Sequence, residues 1–348
     1  IIEEPYYFYE EIKPNKIKIA YMRSCMKLYY DNLTKKYNNY KINYIEYSKL
    51  NFPLNFGMDY IFNTTEEMKE TIRRIHKAAG NANVEGRHII VGNGVTHILL
   101  SAMYAYYKKY GNDSVIVKKP YYFRFPDFVR ISKLKLVNDD SDKSLNPIEL
   151  ITSPNNPDNE LRVSESTTSQ KIYDLSYQWP QYLDNTVLND MDIMVFSLSK
   201  STGHAATRIG WGLVKDPEIA TIMEDYVENT TVGTSNEAQE RARLILGIQT
   251  ELLENKSGQD CFSYGTKELK KRWDKLVSLK NDLTFEILNK KNNGMFIWCK
   301  TKDGSNGFKH MMDNFGVKVK KGEDAGMTSE YFRLSAGCSN STFEEFCD

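Results

Sequence analysis

Asp192-Ile-Met-Val-Phe-Ser-Leu-Ser-Lys200-Ser-Thr-Gly-His-Ala-Ala-Thr-Arg208-Ile-Gly-Trp-Gly-Leu-Val214 is the stretch on which the reading of this chain turns. The apolar run from Ile193 to Phe196 is a short buried strand, and Ile209 to Val214 is a second one leading back into the sheet. Small hydroxyl residues between them place Lys200 on a loop at the first strand's tip. An unpaired ammonium buried between two strands is costly, so a lysine there titrates or reacts. Desolvated lysines are the ones that form Schiff bases with carbonyls. Ser197 stands three residues before Lys200 and Arg208 eight after it. A hydroxyl and a permanent cation flanking a reactive amine suit an aldehyde that carries a phosphate, and pyridoxal 5′-phosphate (PLP) has both groups. A Ser/Lys/Gly loop joining two strands is common, however, and its lysine is usually solvated. The rest of the chain has to carry the reading.

At 348 residues the chain can bury a large core, and the length suits one big domain with a smaller one appended. Lys+Arg and Asp+Glu are both 46, which argues against a nucleic-acid or membrane-surface protein, where a basic excess is expected. No apolar run approaches the roughly 20 residues that span a bilayer. The chain opens on Ile1 without a methionine, which leaves room for an N-terminal targeting segment removed ahead of it. Cys25, Cys261, Cys299, Cys338 and Cys347 are scattered, odd in number and without a CxxC pair. Free thiols in a reducing, cytoplasmic compartment are therefore expected, with no metal site.

Taken in order, residues 1–50 are dense in Tyr, Lys and Asn, and read as an N-terminal arm that either frays or packs on a neighbouring subunit. Thr64 or Thr65 caps a helix running to Ala79, with carboxylates in its first turn. Gly86 to Val91 is a strand; Gly92-Asn-Gly94 is a tight turn, and an apolar helix follows. Such a turn frees backbone N–H groups at a helix N-terminus, where a phosphate is favoured. His97 reads as a polar residue near that helix start, not as a catalyst. Ser114 onward is a strand ending in Tyr121-Tyr122-Phe123, where an aromatic can lie flat on a planar cofactor or simply pack. Ile148 to Ser153 is a strand stopped by the turn Pro154-Asn155-Asn156-Pro157-Asp158-Asn159, whose amides bond a ligand or close the turn. Lys171-Ile-Tyr-Asp174-Leu-Ser-Tyr177 is a strand ending in an acid and a phenol; a buried aspartate needs a partner, and a protonated ring nitrogen is a suitable one.

Alternating strands and helices give an α/β fold with a mostly parallel central sheet flanked by helices. Gly94, Thr96, Tyr122, Asn156, Asp174, Tyr177 and Lys200 all fall at carboxyl ends of strands, where open α/β sheets bind ligands. After Val214 the pattern is helical: Pro217 to Tyr226, a helix capped by Ser235 or Asn236, and a charged surface helix from Lys267 to Lys280. The last part alternates Met295 to Cys299, Phe308 to Phe315, Val317 to Val319 and Glu330 to Ser335, a smaller α+β domain. Arg333 sits inside an apolar strand and needs an anion, either a structural carboxylate or a substrate carboxylate held bidentately.

Ser197-x-x-Lys200 with Arg208, the Ser-Pro-Asn-Asn156-Pro-Asp turn, Asp174-x-x-Tyr177 and the late Arg333-Leu-Ser resemble fold-type I PLP enzymes, the aspartate aminotransferase superfamily. Ser-Lys-Ser-Thr-Gly-His204-Ala, Tyr-Gln-Trp-Pro-Gln-Tyr182 and Gly80-Asn-Ala look more closely like the plant tryptophan aminotransferase and alliinase family. The resemblance runs from about Tyr21 to the C-terminus. It implies that Lys200 carries PLP as a Schiff base and moves a proton. It implies that Asp174 keeps the ring nitrogen protonated, that Tyr177 and Asn156 bond the 3′ oxygen, and that Tyr122 stacks on the ring. Ser197, Arg208 and the Gly94-Val95-Thr96 backbone would hold the phosphate, and Arg333, beside Asn156, the α-carboxylate. A tyrosine from a partner subunit also reaches the phosphate in this superfamily, and Tyr9 is the candidate.

Val95 departs from the family's usual hydroxyl, and Asn159 from the glycine that usually closes the turn, although Asn tolerates φ > 0 better than most residues. The implied architecture is an arm with part of the small domain (1–45), a large PLP-binding domain (46–235) and a small domain (236–348), assembled as a homodimer. The implied activity is an aminotransferase moving the amino group of an L-amino acid, aromatic and tryptophan-like, to a 2-oxo acid. An alliinase-type C–S lyase and a degenerate PLP-fold binding protein are the alternatives.

Overall fold

The computed structural model describes residues 2–3, 27–36, 44–45 and 64–347, except 169 and 292. Tyr9 and Cys25 lie outside the described residues. The chain forms two compact units, Ile1–Tyr60 and Ile61–Asp348. In the first, strand β1 (Ile2–Glu3) pairs parallel with β2 (Tyr44–Ile45), and helix α1 covers 27–36.

The second unit opens with α2 (Glu66–Ala79), whose N-cap Thr65 accepts from Met68 N and whose buried face carries Met68, Ile72, Ile75, His76 and Ala79 at helical spacing. Then follow β3 (His88–Asn93), α3 (Val95–Tyr110), β4 (Ser114–Ile116), α4 (Phe125–Ile131), β5 (Lys135–Val137), β6 (Pro147–Thr152) and β7 (Lys171–Asp174). Next come β8 (Ile193–Ser197), α5 (Leu198–Ser201), β9 (Ile209–Val214), α6 (Pro217–Thr231), α7 (Asn236–Glu254) and α8 (Cys261–Ser278). Seven strands form one sheet in the order β3-β9-β8-β7-β6-β4-β5. β9 runs against its neighbours β3 and β8, and the remaining pairings are parallel. β6, β8 and β9 are buried along their whole length, as strands covered by helices on both faces must be.

A smaller sheet holds β10 (Phe285–Ile287), β11 (Phe296–Thr301), β12 (Lys320–Lys321) and β13 (Tyr331–Ser335), antiparallel in the order β10-β11-β13-β12. Helices α9 (Gly307–Phe315) and α10 (Asn340–Cys347) belong to the same part of the chain. This is the expected α/β architecture with a smaller α+β portion.

Several local expectations differ from what forms. Lys200 sits in the single helical turn α5, not on an open loop, because Ser197 Oγ caps that turn by accepting from Ser199 N at 3.2 Å. Val317 to Val319 is no strand. Gly316, at φ 65, donates to Met312 O, and Val317 N donates to Met311 O at 3.1 Å, so these residues close α9 and pairing waits until Lys320. The charged helix expected from Lys267 starts at Cys261, capped by Asp260, and its apolar side buries Trp273 completely. α6 extends to Thr231. No helix among the described residues is long and apolar enough to cross a membrane.

A buried polar chain ties α2 to the sheet. Trp211 Nε1 donates to His76 Nε2 at 2.9 Å, which leaves the proton on Nδ1 to reach Asn81 Oδ1 at 2.7 Å. Asn81 Nδ2 then donates to Gln178 O at 2.6 Å. Burial lowers the His76 imidazole from 6.5 to about 4, against the smaller opposite pull of Asn81. Below pH 6.5 the unfolded ring takes up a proton that the folded ring refuses, so stability falls as pH drops from 6.5 toward 4. The loss reaches roughly 3 kcal/mol below pH 4. Urea midpoints at pH 7 and 5 are expected to show this drop in the wild type, and a smaller one in His76→Leu.

Candidate active site

The carboxyl ends of β3, β6, β7 and β8 and the start of β9 meet at one edge of the large sheet, and a cavity of about 390 Å³ opens there. Val95, Thr96, Tyr122, Asn156 and Asp174 line it, as do Tyr177, Ser197, Lys200, Arg208 and Arg333. Gly94, which precedes Val95, packs against the Arg208 guanidinium.

Lys200 is fixed through its backbone and left open at its tip. Tyr182 Oη donates to Lys200 O at 3.0 Å, and Gln181 Nε2 donates to the carbonyls of Lys200 and Ser201, each at 3.0 Å. These two residues satisfy carbonyls that a one-turn helix leaves orphaned. Nζ lies 5.6 Å from the centre of the Tyr177 ring, and no carboxylate among the described residues is within 4.0 Å of it. Burial lowers the ammonium's pKa; Arg333 and Arg208 push the same way and Asp174 opposes them.

Asp174 ends β7 and is buried. Its Oδ1 accepts from Ser176 N at 3.1 Å and Ser176 Oγ at 2.6 Å, while no described residue donates to Oδ2. Burial raises this carboxyl above its ordinary value, and the Ser176 bonds only partly offset the effect. Burial also raises Tyr177 far above the usual phenol range, so its hydroxyl stays protonated and can donate.

Arg208 adopts the left-handed conformation at φ 57, and its Nη1 donates to Ala205 O at 3.0 Å. Its guanidinium occupies the space that a side chain on Gly94 would need, since a Cβ there would lie 2.4 Å from Nη2. A Cβ on Gly210 would lie 2.5 Å from Val95 N. Both glycines let β9 press against the first turn of α3, whose N–H groups and dipole favour an anion. His97 faces away, with Nε2 2.7 Å from Thr230 Oγ1, in the structural role its sequence position implied.

Arg333 lies within β13, its guanidinium carbon 4.4 Å from the centre of the Phe296 ring. Nη1 donates to Asn156 Oδ1 at 2.7 Å, but Nε is buried without a partner. No described carboxylate reaches it, so the structural ion pair weighed for this residue does not form among the described residues. Thr152 Oγ1, on the cavity wall, is also buried without a partner.

These features fit PLP: an unpaired amine for an aldehyde, an acid with an open oxygen for a ring nitrogen, and a cation at a helix N-terminus for a phosphate. The sequence reading missed Gln181, Tyr182 and Ser176 as supports, and Leu99, Phe128, Met295 and Phe296 as wall residues. Gln181 and Tyr182 stood inside a motif that carried the resemblance, which was the available signal.

The family model described as "Allinase" matches residues 35–348. The chain is 40% identical over 225 residues to "Tryptophan aminotransferase-related protein 2" of Arabidopsis thaliana, covering 62% of this chain and 51% of that one. It is 32% identical over 243 residues to "Alliin lyase" of Allium cepa var. aggregatum, covering 63% and 54%. The chain thus spans about half the length of the curated relatives it matches. Among solved structures, an aminotransferase from Staphylococcus aureus superposes with a TM-score of 0.68 at 16% identity, over 86% of this chain and 85% of that one. The aspartate aminotransferase of Rhizobium meliloti gives 0.65 at 19% identity, over 82% and 81%. The sheet order, the cavity at its carboxyl edge and a family match across nine-tenths of the sequence agree, and the chain belongs to the allinase family of fold-type I PLP-dependent enzymes.

Proposed function

We propose that the protein is a PLP-dependent aminotransferase that takes the amino group from an aromatic L-amino acid and passes it to a 2-oxo acid. The observation that carries this is one cavity with an unpaired lysine amine, a buried acid, and two guanidinium groups free of carboxylate partners among the described residues. Leu99, Phe123, Phe128 and Phe296 give the cavity apolar walls, which supports a bulky apolar side chain.

PLP, when bound, supplies an aldehyde for the incoming amine and an electron-withdrawing ring that acidifies the Cα–H bond. The chain's residues do the rest. Lys200, its charge disfavoured by burial, is the residue that would hold the cofactor's aldehyde carbon, and its amine would serve as the general base for the proton at Cα. Asp174 Oδ2 holds the proton on the ring nitrogen, and Ser176 keeps the carboxylate in place. Tyr177 donates its hydroxyl to the ring oxygen, and Tyr122 covers the ring face. Arg208, Ser197 and the first N–H groups of α3 hold the phosphate, with Val95 adding only its backbone. Arg333 takes the α-carboxylate through its guanidinium, which no carboxylate among the described residues occupies, and so orients Cα–H toward Lys200.

The site is proposed to be completed in a homodimer, in the cytoplasm, with Tyr9 as a contribution from the second subunit. The large domain would span 46–235, between an arm (1–45) and a small domain (236–348). Gly94→Ala is expected to push the Arg208 guanidinium aside and weaken PLP about tenfold or more by equilibrium titration, the scale of one charge-assisted bond. An unchanged PLP affinity would remove Arg208 from the phosphate site.

The relatives named alliin lyase favour a second reading, β-elimination from S-alkyl cysteine sulfoxides. Assaying L-tryptophan plus a 2-oxo acid beside such a sulfoxide separates the two. Indole-3-pyruvate formation supports the aminotransferase; pyruvate from the sulfoxide alone, with no transamination, replaces it by the lyase.

A further inference from the structure

Asn159 closes the turn that carries Asn156, at the position where the sequence departs from the family's usual glycine. Its φ is 57, the left-handed conformation that Asn tolerates and most residues avoid. Conformation alone would be served by glycine, so the side chain needs its own account.

That side chain behaves as a short piece of strand. Oδ1 accepts from Phe296 N at 3.1 Å while Nδ2 donates back to Phe296 O, a two-way pairing with the backbone of β11. Nδ2 also donates to Asn293 O at 2.9 Å. The close approach requires Gly294, since a Cβ there would lie 2.6 Å from Asn159 Cγ. Asn289 makes a second bridge, donating to Asp158 O at 2.8 Å and accepting from Trp298 N at 2.7 Å. Two carboxamides therefore join the active-site turn of the large sheet to β11 of the small one.

The residue pinned is Phe296, whose ring lies under the Arg333 guanidinium and meets the Tyr177 ring at 5.0 Å. β11 pairs directly with β13, with Trp298 opposite Arg333. The turn that Asn159 closes also supplies Asn156, which accepts from Arg333 Nη1 at 2.7 Å. The bonds thus form a closed circuit: turn, Asn159, Phe296, β13, Arg333, Asn156, and back to the turn.

We propose that Asn159 is a positioning residue for carboxylate recognition: its carboxamide locks Phe296 and the Asn156 turn in register, so that the Arg333 guanidinium is held at the cavity wall before a substrate arrives. This rests on the reading of Arg333 as the carboxylate site. Preorganisation of this kind acts on the carboxylate contact and not on the phosphate contacts around Arg208.

The test compares 3-(indol-3-yl)propanoate with its uncharged amide, neither of which has an amine to react, on PLP-loaded protein by calorimetric titration. Wild type is expected to prefer the carboxylate. Asn159→Gly keeps the backbone conformation and deletes the bridge; it is expected to weaken the carboxylate about tenfold while leaving the amide and PLP affinities unchanged. Asn159→Asp keeps the acceptor for Phe296 N but sets a carboxylate oxygen against the carbonyls of Phe296 and Asn293, and is expected to lose at least as much as the glycine variant. It carries the test if the glycine variant does not fold. Equal losses for carboxylate, amide and PLP would reduce Asn159 to a stabilising residue, and no loss at all would remove it; either result overturns the proposal. Arg333→Met in the same assay separates the levels: if it leaves the carboxylate preference intact, the reading of Arg333 itself fails.

Discussion

Lys200→Ala is expected to abolish covalent retention of PLP and to lower turnover by at least about 10³-fold, because proton transfer by a placed side chain alone contributes about 10²–10⁴. The geometry makes the effect specific to the amine. The backbone of Lys200 is held by Gln181 and Tyr182, and its Nζ has no ion-pair partner among the described residues. Truncating the side chain therefore breaks no hydrogen bond seen in the structure, and the variant is expected to fold with unchanged thermal stability. Borohydride reduction followed by peptide mass analysis reads the linkage: a PLP-modified peptide containing residue 200 in wild type, and none in the variant. A variant that keeps full turnover contradicts the role.

Arg333→Met is expected to raise KM for an amino acid substrate roughly 10- to 150-fold, the range for losing hydrogen bonds to a charged group. kcat is expected to change less if the contact is equal in the ground and transition states. Two further effects oppose each other in this variant. Removing a buried guanidinium whose Nε has no partner relieves a desolvation cost, whereas Asn156 Oδ1 loses its donor. The variant is thus expected to be close to wild type in stability while failing in binding. A KM within twofold of wild type would take the α-carboxylate away from Arg333.

Much of this site was legible in the sequence because its parts are local punctuation at strand ends. Lys200, Asp174, Asn156 and Tyr122 each follow an apolar run, and a parallel sheet brings such positions to one edge whatever the intervening helices do. Caps were legible for the same reason, since Thr65 and Ser235 act within three residues of themselves. The positive φ of Asn159 agrees with its standing where the resemblance expects a glycine.

What could not be read is what depends on long-range packing. The charged stretch around Lys267 hides Trp273, whose Nε1 reaches Gly294 O at 2.9 Å, and nothing in the local pattern distinguishes that tryptophan from a surface one. Gln181 and Tyr182 look like the end of a turn until the sheet brings the Lys200 carbonyl to them. The Asn159 bridge spans more than 130 residues of sequence, and the helix-closing role of Gly316 displaced the strand expected at Val317.

The measurement that tests the central claim most directly is product stoichiometry from PLP-loaded protein and L-tryptophan, first without and then with a 2-oxo acid. An aminotransferase is expected to release one indole-3-pyruvate per site, stop, and resume when the 2-oxo acid is added. A reaction that forms no indole-3-pyruvate, while the same protein turns over an S-alkyl cysteine sulfoxide to pyruvate continuously with no acceptor, would contradict it.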